Sequence, residues 1–274
     1  MVIRGCIFDL GGTLVDRYSL IPLLSLQKAF SNKGINVQPA LIRKGMGLNK
    51  VDHINQLFKD PLVQRQWYVN YGKLVKCEEK DDIFKDFSTI QTIDTIKHMN
   101  IIPQTFHLIK RLKDMDIKVG VTTCYNKEQM ERIKTILEDN KIYIDNYVSS
   151  TCLNKPGRPY PYMIYENMVQ LGIDDPKEII KIDDTSIGIQ EGLNAGCITI
   201  GVSRWSVNMD INSYEEMNNL EAGLMRSNNY SDNYYELFKK IRHAENILKK
   251  SNPHYVIRNI GEIKNIIQNM NTNK

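Results

Sequence analysis

The sequence predicts an α/β fold, in which a doubly wound parallel sheet carries an inserted helical domain. From residue 103 onward, short apolar runs typical of strands alternate with helical patterns, which favours a parallel sheet. Between residues 18 and 98 the apolar residues instead recur every three or four positions, without a strand pattern. We therefore expect a core domain of residues 1–17 and 99–274. Residues 18–98 would form a helical cap domain over the strand ends, where open α/β sheets bind ligands.

The first elements follow from their patterns, taken in chain order. Residues 2–8 (VIRGCIF) form an apolar run typical of a buried strand. Residues 20–33 repeat apolar positions at helical spacing until Gly34 breaks the pattern, and residues 39–98 are helical in character throughout. Pro103 suits the first turn of a helix, which we predict in PQTFHLIKRLKDM.

After this helix the chain alternates between the two element types. Strands are predicted at IKVGVTT (117–123), IDNYVSS (144–150), EIIKIDD (178–184), CITIGV (197–202) and HYVI (254–257). Helices are predicted between and after them, at 126–140, 159–173, 187–196, 214–250 and 261–270.

The composition excludes several classes of protein. The 274 residues include 42% hydrophobic and 25% charged residues, which are ordinary globular values. The net charge is +4 without a dense Lys/Arg block, so we expect no nucleic-acid partner. No apolar run approaches the length of a membrane span, and the five cysteines show no CxxC spacing. These features predict a soluble cytoplasmic protein without a disulfide framework or a zinc site.

Polar residues that could carry chemistry fall at strand ends or in loops beside them. They are Asp9, Thr122, Thr123, Arg158, Asp183 and Asp184. Because parallel strands end at one edge of the sheet, these side chains should converge. Two acids can bind a hard cation such as Mg²⁺, while a Thr hydroxyl and an Arg can hold phosphoryl oxygens. Asp9 could then attack phosphorus and form an aspartyl-phosphate.

The segments FDLGGTLVD, VTTCY, GRPYP and IDDT, in this order, resemble the haloacid dehalogenase superfamily. The resemblance implies that Asp9 is the nucleophile and that Mg²⁺ binds the Asp9 carboxylate, the Gly11 carbonyl and Asp184. Asp184 is chosen because the superfamily's GDT segment aligns best with residues 183–185, and Asp183 is the alternative.

One departure concerns the leaving group. Phosphatases of the superfamily carry an acid two residues after the nucleophile, which protonates an alkoxide, and here that position is Gly11. The loop is therefore either inactive or belongs to a reaction whose leaving group is protonated differently. The segment MGLNKVDH (46–53) offers Lys50 and His53, which would share one face of a helix that begins there. Taken alone, such a pair also fits a solvated helix surface.

MGLNK and GRPYPYM (157–163) together resemble the phosphonoacetaldehyde hydrolases, or phosphonatases, over essentially the whole chain. The resemblance implies that Lys50 forms a Schiff base with the substrate aldehyde, so that electrons of the breaking P–C bond enter an enamine. That chemistry requires a neutral Lys50 amine and hence a lowered pKa. Further implied roles are phosphoryl contacts by Thr123 and Arg158, proton transfer or Lys50 positioning by His53 and Tyr125, and substrate binding by Gly11, Gly12, Met46 and Cys124.

Three other positions depart from this family. Ser19 replaces a common Cys, and Cys124 replaces a Gly that lets the backbone approach phosphate. The second acid, usual four residues after the metal-binding Asp, is Gly188 here, which predicts weaker metal binding or a water in that place.

Two other functions stay open, namely a phosphatase acting on phosphate esters and a non-catalytic phosphoryl-binding or scaffolding protein. The apolar and aromatic residues of the cap could form its core or a homodimer contact, and we favour the core: Leu23, Leu24, Trp67, Tyr68 and Tyr71. The resemblance itself favours a homodimer formed through the cap.

Overall fold

The computed structural model describes residues 2–226 and 230–272, and it has the predicted fold class. Six strands form one sheet in the order β3-β2-β1-β4-β5-β6, and all neighbouring strands are parallel. Their bounds are β1 Gly5–Phe8, β2 Lys118–Thr123, β3 Asn146–Ser149, β4 Ile179–Asp183, β5 Ile198–Val202 and β6 Tyr255–Ile257. Every predicted strand is present, although β1 begins three residues later than expected.

Helices cover both faces of the sheet. They are α6 Thr105–Asp114, α7 Lys127–Asp139, α8 Tyr162–Leu171, α9 Ser186–Ala195, α10 Tyr214–Arg226, α11 Tyr230–Lys249 and α12 Ile263–Thr272. The predicted helical span 214–250 contains α10 and α11, and its residues 227–229 lie outside the described residues. Alternation along β1 sends its side chains to opposite faces. Ile7 packs in a cluster with α8 and α9, whereas Cys6 and Phe8 pack in the larger cluster that includes α6, α7 and α12. The doubly wound arrangement is therefore confirmed.

Six α-helices lie between β1 and β2 in the sequence, and we call the first five, which precede α6, the cap. They are α1 Leu20–Asn32, α2 Pro39–Arg43, α3 Lys50–Leu57, α4 Pro61–Tyr71 and α5 Cys77–His98. Their buried residues form an apolar cluster of their own, to which only Val207 is added from outside the cap among the buried residues described. A separate cluster is what an inserted helical unit needs in order to pack as a body of its own.

We predicted that five apolar and aromatic residues form the core of the cap. This prediction is right for three of them and wrong for two. Leu23 and Trp67 are buried in the cap cluster, and Leu24 packs against it while partly buried. Tyr68 and Tyr71 are instead 57% and 43% exposed. Helix α4 buries the stripe of Val63 and Trp67, which are four residues apart, so Tyr68 lies beside that stripe and faces outward. The Tyr71 ring stacks on Trp67 at the exposed end of the helix.

Two expectations about the class of protein were tested by the fold. All five cysteines lie in the described residues and are free thiols, as predicted. Within those residues, no helix is both long and apolar enough to cross a lipid bilayer.

Candidate active site

The ends of β1, β2 and β4 bring the predicted site residues to one cavity beneath the cap. Because β1 lies between β2 and β4, the residues that end these strands become neighbours. The cavity has a volume of about 390 Å³, including its open mouth. Nine predicted site residues line it: Asp9, Gly11, Met46, Lys50, Thr123, Cys124, Tyr125, Arg158 and Asp184. Gly12 and His53 are outside its lining.

Asp9 follows β1 and is fixed by contacts to both neighbouring strands. Its backbone N–H donates to the Ile182 carbonyl of β4 at 2.9 Å. Its Oδ1 accepts from Arg158 Nη2 at 2.8 Å, and the same Nη2 donates to the Thr122 carbonyl of β2. Burial raises the pKa of Asp9 to about 6, against the opposing effect of the Arg158 cation. A divalent cation beside Asp9 would favour its ionised form.

The two glycines after Asp9 have different spatial roles. Gly12 has φ +71°, and a Cβ there would lie 2.3 Å from Asp184 Oδ2, so only glycine fits both the backbone and the space. A Cβ on Gly11 would lie 3.3 Å from Ser19 Oγ and 3.9 Å from Asp16 Oδ2. The place of the missing acid is therefore bordered by a serine hydroxyl and a buried carboxyl group.

The acidic residues could hold a divalent metal ion. Oxygens of Asp9, Asp183 and Asp184 all lie within 4.8 Å of one another. Asp184 is fully buried; its Oδ2 accepts from the Val207 N–H at 2.9 Å, whereas its Oδ1 has no hydrogen-bond partner within the described structure. A buried oxygen without a donor is costly unless a cation binds it. Burial, and then the Asp183 and Asp9 charges, raise the pKa of Asp184 well above its usual range. The donor set therefore fits a hard divalent cation.

Lys50 reaches the cavity from the cap. It is the first residue of α3, so a helix does begin within the MGLNKVDH segment, and Asn49 caps that helix by accepting from the Asp52 N–H at 2.9 Å. Lys50 is only 8% exposed, and in the described chain no hydrogen bond or ion pair engages its amine. Burial lowers its pKa, with a smaller lowering by Arg158, and burial outweighs the raising effects of Cys124, Asp9 and Asp16. The position at a helix N-terminus also disfavours a cation. The site therefore makes the neutral, nucleophilic amine easier to form than it is on a solvent-exposed lysine.

The residue Cys124 joins the core to the cap. Its thiol donates to the Gly47 carbonyl at 3.0 Å, so the side chain is directed to the cap segment before Lys50. Gly47 has φ +98°, and a Cβ there would lie 2.8 Å from Thr185 Oγ1. The cap segment therefore approaches the core too closely for any residue larger than glycine.

Comparison with known proteins identifies the family. Residues 6–202 match the family described as Haloacid dehalogenase-like hydrolase. Proteins named phosphonoacetaldehyde hydrolase from Psychromonas ingrahamii and Vibrio vulnificus are each 31% identical to this chain over 97% of it, and the matches cover 86% and 93% of their lengths. The chain is an enzyme of the phosphonoacetaldehyde hydrolase family, within the haloacid dehalogenase-like hydrolases.

A solved structure supports this family assignment over nearly the whole chain. The crystal structure of a phosphonoacetaldehyde hydrolase-like protein from Oleispira antarctica matches with a TM-score of 0.88 and a sequence identity of 27%. The match covers 99% of this chain and 93% of the Oleispira chain. The cap and the core therefore both belong to the family's architecture.

His53 lies behind the cavity. It is fully buried, and its Nε2 bonds the Ile42 carbonyl at 2.8 Å, while its ring leaves room only for glycine at position 45. Burial, and then the nearby Lys50, lower the pKa of His53 to about 3, so the ring is neutral. With Nε2–H donating to a carbonyl, Nδ1 would be a proton acceptor, and in the described structure it has no partner. His53 and Lys50 do lie on the same buried side of α3, as the spacing predicted.

Tyr125 contacts Asp16, which was not among the site residues predicted from the sequence. Its hydroxyl donates to Asp16 Oδ2 at 3.1 Å, and Asp16 Oδ1 accepts from the Ile21 N–H at the start of the cap. Burial raises the pKa of Asp16 to about 7, although both hydrogen bonds oppose the shift. The pair joins the loop after β1, the core and the first cap helix.

We expect Asp16→Asn to flatten the dependence of stability on pH. Because the pKa of Asp16 is raised from 3.8 to about 7, the native state keeps a proton that the unfolded state releases, and the free energy of unfolding falls as pH rises through that window. Urea unfolding in EDTA at about pH 5 and about pH 8 measures the fall. The variant should lose less stability than the wild type, whereas Asp139→Asn, at an exposed position, should match the wild type. If all three proteins lose the same free energy of unfolding between the two pH values, the raised pKa of Asp16 is contradicted.

A second group that sequence reasoning missed lies under Arg158. Lys181, in the middle of β4, is fully buried and its Nζ donates to Thr122 Oγ1 at 2.8 Å. Glu191 Oε2 accepts from Arg158 Nε at 2.8 Å and lies 3.4 Å from Lys181 Nζ. Burial acts to lower the pKa of Arg158, but Glu191, Asp183 and Asp9 hold it well above its usual range. A lysine inside the apolar strand IIKIDD was the signal available in the sequence. Thr122 thus positions Arg158, while Thr123 lines the cavity.

Proposed function

We propose that the protein hydrolyses the carbon–phosphorus bond of phosphonoacetaldehyde, giving acetaldehyde and phosphate. The observation that carries this proposal is a buried amine, Lys50, facing the same cavity as the Asp9 carboxylate while position 11 holds glycine. An amine beside a nucleophilic carboxylate suits a substrate with an aldehyde next to a phosphonate. The names of the similar proteins support the same substrate.

The amine would make the leaving group possible. Breaking a P–C bond directly would expel a carbanion, which an ordinary acid does not stabilise at neutral pH. Lys50 attacks the aldehyde carbon as a neutral amine, and water leaves as the imine forms. When the P–C bond breaks, its electron pair enters the imine and gives an enamine. The lowered pKa of Lys50 supports the first of these steps.

The carboxylate would accept the phosphoryl group. Asp9 attacks phosphorus, forming an aspartyl-phosphate as the P–C bond breaks. Arg158 and Thr123 are placed to bind the phosphoryl oxygens. Mg²⁺, when bound by Asp9, the Gly11 carbonyl and Asp184, would offset the negative charge of these oxygens.

Two water molecules would complete the reaction. The enamine takes a proton at carbon and is hydrolysed, which releases acetaldehyde and regenerates Lys50. Water then releases phosphate from Asp9. The neutral His53 ring behind Lys50 and the Tyr125 hydroxyl are the groups we propose for positioning the amine and moving protons, with Met46 packed beside it.

The alternatives receive less support. A phosphatase for phosphate esters would need an acid two residues after Asp9, and the space beside Gly11 instead meets Ser19 and Asp16. Cys124 and Gly188 are the departures from the family that would fit a non-catalytic phosphoryl-binding protein. The Cys124 thiol, however, bonds the Gly47 carbonyl, so the substitution has a structural partner.

A product assay tests the proposal. With phosphonoacetaldehyde and Mg²⁺, we expect equal amounts of acetaldehyde, measured by NADH-coupled reduction, and of phosphate, and no turnover in EDTA. With p-nitrophenyl phosphate we expect little phosphate. Phosphate release from the ester without acetaldehyde formation from the phosphonate would favour the phosphatase, and no turnover of either substrate would favour the binding protein.

We also infer a homodimer formed through the cap, located in the cytoplasm. Leu62, Tyr68 and Val69 of α4 are 68%, 57% and 72% exposed, which is a large apolar surface for one helix. The five free thiols suit a reducing compartment. Light scattering should give twice the chain mass for the wild type and less for Val69→Asp.

A further inference from the structure

We propose that Asp183 and Gly188 form a compensating pair at the metal site, in which the Asp183 carboxylate supplies the negative charge that is missing at position 188. The inference rests on the proposed metal-dependent function. It replaces the expectation, raised by Gly188 alone, that metal binding is weakened.

The space at position 188 is already filled by Asp183. A Cβ built on Gly188 would lie 1.9 Å from Asp183 Oδ2 and 2.0 Å from its Cγ. Gly188 belongs to helix α9 and has no left-handed backbone angle, so the glycine is required by space rather than by conformation. Glycine is a poor helix former, so helix propensity does not explain its presence in α9, and the lack of space does.

The Asp183 carboxylate cannot easily move away. Its Oδ1 accepts from the Thr185 N–H at 3.0 Å and from Thr185 Oγ1 at 2.8 Å. Its Oδ2 lies 3.0 Å from Lys181 Nζ and 3.5 Å from Arg158 Nη1. Asp183 Oδ2 has no hydrogen-bond partner in the described structure, but these two cations neutralise it, so Asp183 acts as a positioning residue through its charge. Asp184 Oδ1 is also buried without a hydrogen-bond partner there, and in the described chain it has no ion pair, so it is the oxygen we assign to a cation.

The charge count of the buried cluster supports this role. The cluster contains four carboxylates and two cations: Asp9, Asp183, Asp184, Glu191, Arg158 and Lys181. With all of them ionised, two negative charges remain, which one divalent cation balances. Without Asp183 only one would remain, and Lys181 and Arg158 would repel the metal more strongly.

The experiment measures Mn²⁺ affinity without substrate, by electron paramagnetic resonance. Asp183→Asn keeps the shape and removes the charge, so we expect at least about tenfold weaker binding. Gly188→Asp alone should also weaken binding, because its side chain collides with Asp183. The exchange variant Asp183→Gly/Gly188→Asp should bind Mn²⁺ within about threefold of the wild type, since one change relieves the other.

A matched double variant separates charge from space. In Asp183→Asn/Gly188→Asp the amide still fills the space, so we expect no recovery of Mn²⁺ binding. Wild-type affinity in Asp183→Asn would overturn the proposal, as would a folded exchange variant that binds no better than the single variants. If the exchange variant does not fold, by circular dichroism, the affinity of Asp183→Asn decides alone. If the protein binds Mn²⁺ as expected but releases no acetaldehyde from phosphonoacetaldehyde, the proposed function fails while the pair stands.

Discussion

Replacing Asp9 with asparagine should abolish phosphate release, lowering kcat by at least about 10⁴-fold, as removal of a catalytic nucleophile typically does. The amide is nearly the same shape as the carboxylate but does not attack phosphorus. Arg158 keeps its hydrogen bonds to the Thr122 carbonyl and Oγ1, so its position should be retained. Initial rates of phosphate and acetaldehyde release measure the loss together.

The control for this variant measures imine formation at Lys50, a step that does not require Asp9. Lys50 is untouched, so Asp9→Asn should still form the imine, and borohydride with phosphonoacetaldehyde should still label Lys50. Asp52→Asn, at an exposed position of α3, should keep wild-type turnover. If Asp9→Asn retains turnover within about tenfold of the wild type, another group attacks phosphorus and the aspartyl-phosphate is ruled out.

The sequence predicted the site residues at strand ends because a general rule places them. In a parallel sheet the carboxyl ends of neighbouring strands meet, so a strand order with β1 between β2 and β4 brings Asp9, Thr123 and Asp184 together. Lys50 came instead from the resemblance of MGLNK, since helical spacing alone does not distinguish a buried lysine from a solvated one.

The residues that were missed depend on contacts between distant parts of the chain. Asp16 was read only as the end of a motif, because its partner Tyr125 is 109 residues away. Glu191 pairs with Arg158, 33 residues away, through a loop whose path the sequence does not give. The error at Tyr68 has a local origin, since spacing identifies a helix but not which side of a wide apolar stripe stays exposed.

At Gly188 the sequence and the structure lead to different expectations. In the sequence, a glycine replaces the acid of the family pattern, which lowers the expected metal affinity. In the structure the neighbouring Asp183 carboxylate fills that volume, which one-dimensional alignment does not reveal. A departure from a family pattern is therefore best judged by what occupies the space it leaves.

Replacing Lys50 with arginine should abolish P–C bond cleavage, again by at least about 10⁴-fold, because a guanidinium stays protonated and forms no imine. The fold should be retained, since α3 and its Asn49 cap do not depend on the amine. Borohydride treatment with phosphonoacetaldehyde, followed by peptide mass spectrometry, should give an irreversible adduct on Lys50 in the wild type and none in the variant. Lys44→Arg, at an exposed cap position, should be labelled and active like the wild type.

The pH dependence adds a test that a merely structural lysine would not pass. Burial lowers the pKa of Lys50, so the rising limb of kcat/KM with pH should report an apparent pKa below that of an ordinary lysine. Imine formation needs the neutral amine, so the rate of borohydride trapping should rise over the same pH range. If Lys50→Arg still releases acetaldehyde, or if trapping labels a different lysine, the electrons of the P–C bond leave by a route that does not involve Lys50. The glycine at position 11 would then need another explanation, because in the proposed mechanism the imine makes an acid there unnecessary.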